Sequence, residues 1–185
     1  MNLSLNLNKI ALLRNARGDN YPDLEEYALR AIELGVDGLT LHPRPDQRHA
    51  TCEDVLTISN ICKEKSVEFN IEGNPFSKAT DNYDGFVELV KLSSPDQVTL
   101  VPDDPDQITS DHGWNVESCN ESLSLAIKEI INSSPKARIS LFIDNIQNDT
   151  INFEILNASL FSNVNLSTSN FDRAKKWYLN LFSSL

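Results

Sequence analysis

Apolar side chains recur at every second position in three short runs, LSLNLN (3–8), GLTLH (38–42) and VEFNIE (67–72). That period is the one expected of β-strands with one apolar and one polar face. Each run is followed by a polar loop and then a helical pattern. In PDLEEYALRAIELG (22–35), Leu24, Ala28, Ala31 and Ile32 form the stripe, Pro22 suits the first turn and Gly35 the stop. In TCEDVLTISNICKEK (51–65), Val55, Ile58 and Ile61 or Cys62 share a face, and Thr51 is placed as N-cap. A helix near 81–92, QVTLVP (97–102), a long loop, a helix near 117–133 and RISLFID (138–144) follow. Strand signals separated by helices predict an α/β fold of repeated βα units. In the tail the pattern predicts a helix near 150–161, a short strand VNLST (164–168) and an amphipathic helix over 174–182.

Phase sharpens the prediction. Asn6 and Asn8 share one strand face, as do Thr40 and His42, and Asn70 and Glu72. Asn8, His42 and Glu72 each close a run. In a barrel the polar phase points inward at the mouth and the apolar phase packs under the helices. Parallel strand ends open on one edge, so these residues are expected to converge on one pocket, as in an enzyme.

A chain of 185 residues is long enough for one domain with a proper core. No apolar run reaches the length needed to span a bilayer, and the first residues enter a strand pattern without a basic leader. A soluble, cytoplasmic protein with no membrane contact is expected. Cys52, Cys62 and Cys119 lack metal or disulfide spacing and read as reduced structural thiols. The net charge of −11 argues against a nucleic-acid binder. Against that acidic body, Arg14, Arg17, Arg44, Arg48 and His49 gather near the first two strand ends, where a cationic cluster can focus a small anion such as a phosphate ester. Asp103, Asp104 and Asp106 read as a solvated acidic loop, with no metal.

The strings NLNKIALLRNARG (6–18), LHPRPDQRH (41–49), FNIEGNP (69–75), QVTLVPDDPDQITSDHGW (97–114) and SLFID (140–144) resemble, in order, the pyridoxine 5′-phosphate synthase family. The resemblance covers about residues 3–144. It implies a TIM-barrel fold, a homo-oligomer and a reaction without metal or organic cofactor. The implied reaction joins 3-amino-2-oxopropyl phosphate to 1-deoxy-D-xylulose 5-phosphate, giving pyridoxine 5′-phosphate, phosphate and water, in vitamin B6 and pyridoxal phosphate biosynthesis. Amine condensation, loss of water, elimination of phosphate and an aldol-type closure need several proton transfers in one pocket.

By the same resemblance, His42 matches the first proton acceptor and Glu72 the second. Asn6 and Arg17 match contacts to the amino-ketone phosphate. Asn8 and Lys9 match the pair on the pentulose phosphate, where many members carry Asp-His and one branch carries Asn-Lys. Arg44, His49 and Thr109 match further contacts to that phosphate, and a guanidinium suits bidentate binding of its oxygens. Taken without the family, His42 reads as a structural histidine, Glu72 as an arginine's partner, and RNARG as an ordinary loop turning at Gly18.

The later motifs of the family are missing. Its sixth strand carries a charge-stabilising glutamate, whereas VNLST puts Asn165 there; FEIL (153–156) is the alternative, which keeps Glu154. The Asn-Ala-Gly-His and Ile-Gly-His strand ends have no counterpart. The expectation is about six of eight strands in one incomplete barrel-type domain over 1–185, its part from 145 divergent or truncated. Impaired activity is expected of such a homologue, with a non-catalytic sugar-phosphate-binding or assembly protein as the alternative.

Overall fold

A computed structural model describes residues 3–104, 107–114, 121–143 and 164–168 of the chain. Six parallel strands form one sheet in sequence order: β1 (Ser4–Asn6), β2 (Gly38–Leu41), β3 (Glu68–Gly73), β4 (Gln97–Leu100), β5 (Arg138–Ile143) and β6 (Val164–Thr168). Sequential order with every neighbour parallel is the winding of a barrel, because each crossover helix returns the chain to the same sheet edge. Among the described residues the sheet is open, with β1 and β6 at its edges. Among the described residues the expected α/β fold of TIM-barrel type is observed, with six strands in an unclosed sheet, consistent with an incomplete barrel.

The predicted phase is met from β2 to β5, whereas in β1 Leu5 is exposed. On the outer face Leu39, Leu41, Phe69, Ile71, Val98, Leu100, Ile139, Leu141 and Ile143 join one core with helix residues such as Ala28, Val55, Ile58, Phe86, Leu89, Ile127 and Ile130. Each such aliphatic or aromatic side chain contributes about 1.5–3 kcal/mol by leaving water. The inner face is polar, exposed at β1 but buried at Thr40, Asn70, Thr99 and Ser140. Ser4 Oγ lies 3.0 Å from Thr40 Oγ1, Asn70 Nδ2 donates to Thr40 Oγ1 (3.2 Å), and Thr99 Oγ1 donates to Asn70 Oδ1 (2.9 Å). This hydrogen-bonded ladder across four strands satisfies polar groups that would otherwise be costly to bury.

Helix α1 (Asn8–Arg17) corrects the sequence expectation. Asn8 does not close the first strand, which ends at Asn6, and the stretch to Arg17 is not a loop. Only Ala11 of this helix is buried, while Leu12 and Leu13 are exposed, so no apolar stripe announces it. Its residues are good helix formers, Arg14 and Arg17 occupy the last turn, and Gly18 closes it at φ 69°.

Helix α2 (Leu24–Glu33) starts two residues after Pro22, because the Asp23 side chain caps it by accepting from the backbone N–H of Glu25 and Glu26. Gly35 follows at φ 91°, as the stop signal required. Thr51 caps α3 (Cys52–Lys65) in a reciprocal capping box with Asp54. Helix α4 (Phe86–Ser93) is shorter than expected, starting after a loop, and α5 (Glu121–Ser133) fits the expected span. The last position of β3 is glycine because a Cβ at residue 73 would stand 2.4 Å from the Phe86 ring. The helices expected near 150–161 and 174–182, and Glu154, Asp106 and Cys119, lie outside the described residues. Residues 164–168 are a strand paired with β5, Asn165 standing opposite Ser140, so Asn165 occupies the sixth-strand position.

Candidate active site

At the C-terminal strand ends the inner phase runs on past the sheet. It passes from Thr40 to His42 and Arg44, from Asn70 to Glu72 and Asn74, and from Thr99 to Val101 and Asp103. These positions meet. Asp103 Oδ2 lies 3.3 Å from His42 Nε2 and 3.4 Å from an Arg44 terminal nitrogen, and it accepts from Ser110 Oγ at 2.9 Å. Asn74 Nδ2 donates to the Asp103 carbonyl at 2.7 Å, and Arg44 donates to the Asp104 carbonyl at 3.1 Å. His42, Arg44 and Asp103 are only 6%, 4% and 6% exposed. Asp103 is therefore not part of a solvated loop. It is the hub of the rim, because the β4 phase carries it inward against the Arg44 guanidinium and the His42 ring.

Glu72 and Asn6 are joined across the sheet, Asn6 Nδ2 donating to Glu72 Oε2 at 3.2 Å. Burial and then the charge of Asp103 push the Glu72 carboxyl up to about 7, against the weaker opposing effect of the Asn6 hydrogen bond. No arginine pairs with Glu72 among the described residues. His42 moves the other way. Burial, then the neighbouring positive charges of His49, Arg44 and Arg48, hold it down at about 3, so it is neutral at pH 7. Asn8 Oδ1 accepts from the His42 backbone N–H at 2.8 Å, and Asn6 Oδ1 from the Asn8 N–H at 2.9 Å, which ties the start of α1 to the end of β2.

The other predicted residues surround this centre unevenly. His49 is half-buried, with its ring centroid 5.8 Å from that of His42 and its Nδ1 without a hydrogen-bond partner among the described residues. Burial and then the Arg44 charge lower its pKa to about 4; Lys9, itself exposed, lowers it more weakly. Arg48 donates to the Ile108 carbonyl at 3.0 Å, which brings the loop of exposed Thr109 against the loop after β2. Arg17 is exposed at the last residue of α1 and forms no ion pair among the described residues.

The expected cationic cluster is largely neutralised. Arg14 grips Asp54 with two nitrogens (2.6 and 2.8 Å), Arg48 pairs with Asp46 (2.5 Å), and Arg44 with Asp103. Sequence order hid these pairs, since Asp54 and Asp103 are 40 and 59 positions from their arginines. Besides Asp103, Asn15 was missed. Its side-chain amide donates to the carbonyls of Gln47, Arg48 and His49 (3.3, 3.1 and 2.8 Å) and fixes the loop that carries His49. Two-residue phase extended beyond each strand would have found Asp103; no local signal marks Asn15.

A parallel βα sheet with a buried and a half-buried acid–base group, His42 and Glu72, at its C-terminal edge defines an α/β protein of the TIM-barrel type with a polar mouth. Its backbone is similar to that of D-psicose 3-epimerase with D-tagatose from Clostridium cellulolyticum H10 (TM-score 0.51, 10% identity, covering 91% of this chain and 63% of that one), a likeness of fold alone. The chain belongs to the family described as pyridoxal phosphate biosynthesis protein PdxJ, whose model matches residues 3–180. It is 47% identical over 144 residues to the pyridoxine 5′-phosphate synthase of Xanthomonas axonopodis pv. citri (strain 306), covering 77% of this chain and 55% of that protein. It is also 47% identical over 142 residues to that of Xylella fastidiosa (strain 9a5c), covering 77% and 54%. The chain thus spans about half the length of the curated relatives it matches.

Proposed function

We propose that the site carries out the chemistry for which those relatives are named, as a pyridoxine 5′-phosphate synthase in vitamin B6 biosynthesis. On this reading it condenses 3-amino-2-oxopropyl phosphate with 1-deoxy-D-xylulose 5-phosphate. One observation carries the proposal: a carboxyl poised near neutrality, Glu72, shares the inner rim with an uncharged imidazole, His42. Groups in those states can take a proton from a substrate and return it within one cycle. His42 is the first proton acceptor and Glu72 the second. The depressed basicity of His42 suits this order, because a phosphate dianion bound beside Arg44 and His49 offsets the positive field and raises the imidazole's pKa.

Asn6 and Arg17 contact the amino-ketone phosphate in this scheme, and Asn8, Lys9, Arg44, His49 and Thr109 the pentulose phosphate. Residues 1–185 act as one barrel-type domain, in a cytoplasmic homo-oligomer, on small phosphate esters. Product formation from the two substrates is the test. Glu72→Gln should abolish it while sparing affinity for 1-deoxy-D-xylulose 5-phosphate. Unchanged turnover in that variant would sink the assignment.

A second reading, a non-catalytic sugar-phosphate-binding or assembly homologue, is favoured by Asn165. It stands in the sixth strand, where the resemblance calls for a charge-stabilising glutamate. Calorimetric binding of 1-deoxy-D-xylulose 5-phosphate with no product formed would select it.

A further inference from the structure

Asp103 has more to do at this rim than any assigned residue. A buried carboxylate is retained only where partners hold it, and here one oxygen, Oδ2, serves Ser110, Arg44 and the edge of His42 together. The other, Oδ1, is buried without a hydrogen-bond partner among the described residues. Asn74 anchors the backbone beneath it. The carboxylate is thus fixed from β3 and from its own loop, while it faces two residues from the loop after β2. A neutral imidazole carries its single N–H on one nitrogen or the other, and a carboxylate beside Nε2 favours the proton there. Nδ1 is then left as the lone-pair nitrogen.

We propose that Asp103 is the positioning residue of this site: it holds the Arg44 guanidinium and sets His42 in the Nε2–H form, so that Nδ1 is the nitrogen that accepts a proton. The part of this that concerns turnover rests on the function proposed above; the part that concerns the histidine does not. An amide at position 103 keeps the shape but loses the charge, so it favours a donor at Nε2 more weakly and no longer compensates Arg44.

The experiment is nitrogen NMR of the histidine side chains at neutral pH in the full chain, with the His42 signals assigned by the loss of one ring pattern in His42→Gln. The parent protein should show His42 as the Nε2–H tautomer, and Asp103→Asn should shift it toward a mixture or toward Nδ1–H. An Nδ1–H tautomer in the parent overturns the proposal without recourse to any variant, so a variant that fails to fold does not leave it untested. An Asp103→Asn protein that melts with the parent and keeps the parent's ring pattern also overturns it. In turnover, Asp103→Asn should lower kcat about ten- to hundredfold, the usual range for loss of a group that orients a reacting one, and Asp103→Glu should recover part of the loss. A parent that shows the Nε2–H form but makes no product defeats the proposed function and leaves the positioning of His42 supported.

Discussion

Two polar layers lie on the same inner face of the sheet, and they behave in opposite ways. At the N-terminal end of the strands, Arg138 donates to Glu68 and to Gln97 (3.2 Å to the latter). A cation meets an anion there, both partly exposed, and the charges are matched. At the C-terminal end, four or more residues along the same strands, Glu72 faces the charge of Asp103, and His42 faces Arg44, Arg48 and His49. Burial first, and then these neighbouring charges of the same sign, push both central groups toward their neutral forms, although Asp103 also stands 3.3 Å from His42. The same strands thus supply a structural pair at one end and a frustrated cluster at the other. Strain of that electrostatic kind is expected where protons must move and not where a fold is merely closed.

The sharpest way to break this contrast is to neutralise one member of each layer. Glu72→Gln should lower turnover by about 10²–10⁴, the range for loss of a general acid–base group, with steady-state kinetics as the measurement. Glu68→Gln should leave turnover unchanged, and an equal loss in both variants would erase the distinction between the layers.

Packing beneath the upper layer comes next in size. Gly73→Ala would drive a methyl into the Phe86 ring, and overpacking of this kind costs about 1–3 kcal/mol. Urea unfolding should show that loss, and an unchanged midpoint would mean that β3 and α4 are free to separate.

The pH dependence of stability distinguishes the layers further. Glu72 is raised from 4.5 to about 7 on folding. Its contribution is complete below the unfolded value and is lost as pH climbs through about 7. His42 is lowered from 6.5 to about 3, so its burial is most unfavourable at low pH and the penalty fades as pH rises toward 6.5. His49, lowered to about 4, adds a slope of the same sign as His42, so between about pH 4.5 and 6.5 the Glu72 slope opposes both and offsets about one of them. Glu72→Gln should steepen the rise in stability with pH across that window by on the order of 1 kcal/mol per unit, measurable by urea unfolding at pH 5 and 6. Parallel curves for parent and variant would refute the shifted carboxyl.

The smallest effect expected is in the lower layer. Because the Arg138–Glu68 pair is partly exposed, Glu68→Gln should cost under about 1 kcal/mol of stability. A loss of several kcal/mol would show that the pair is shielded from water and closes the sheet.

Much of this was legible along the chain because the controlling interactions are local. Alternation in GLTLH and VEFNIE reflects a two-residue period that any parallel strand must obey, and it placed Thr40, His42, Asn70 and Glu72 on the inner face. Thr51 and Asp54 close their capping box within four residues, and Gly35 stops α2 by its own backbone freedom. Helix α1 escaped because its one buried side chain leaves no periodic signal.

What only the tertiary structure decided is which charges face one another. By composition Arg14, Arg44 and Arg48 formed a free cationic patch; folding gives each a carboxylate, two of them brought from distant segments. Asp103 passed for a solvated loop residue until the β4 phase carried it against His42. Strand period is dictated by bonds between neighbouring residues, whereas charge pairing and pKa depend on distance and dielectric between residues that the sheet alone brings together.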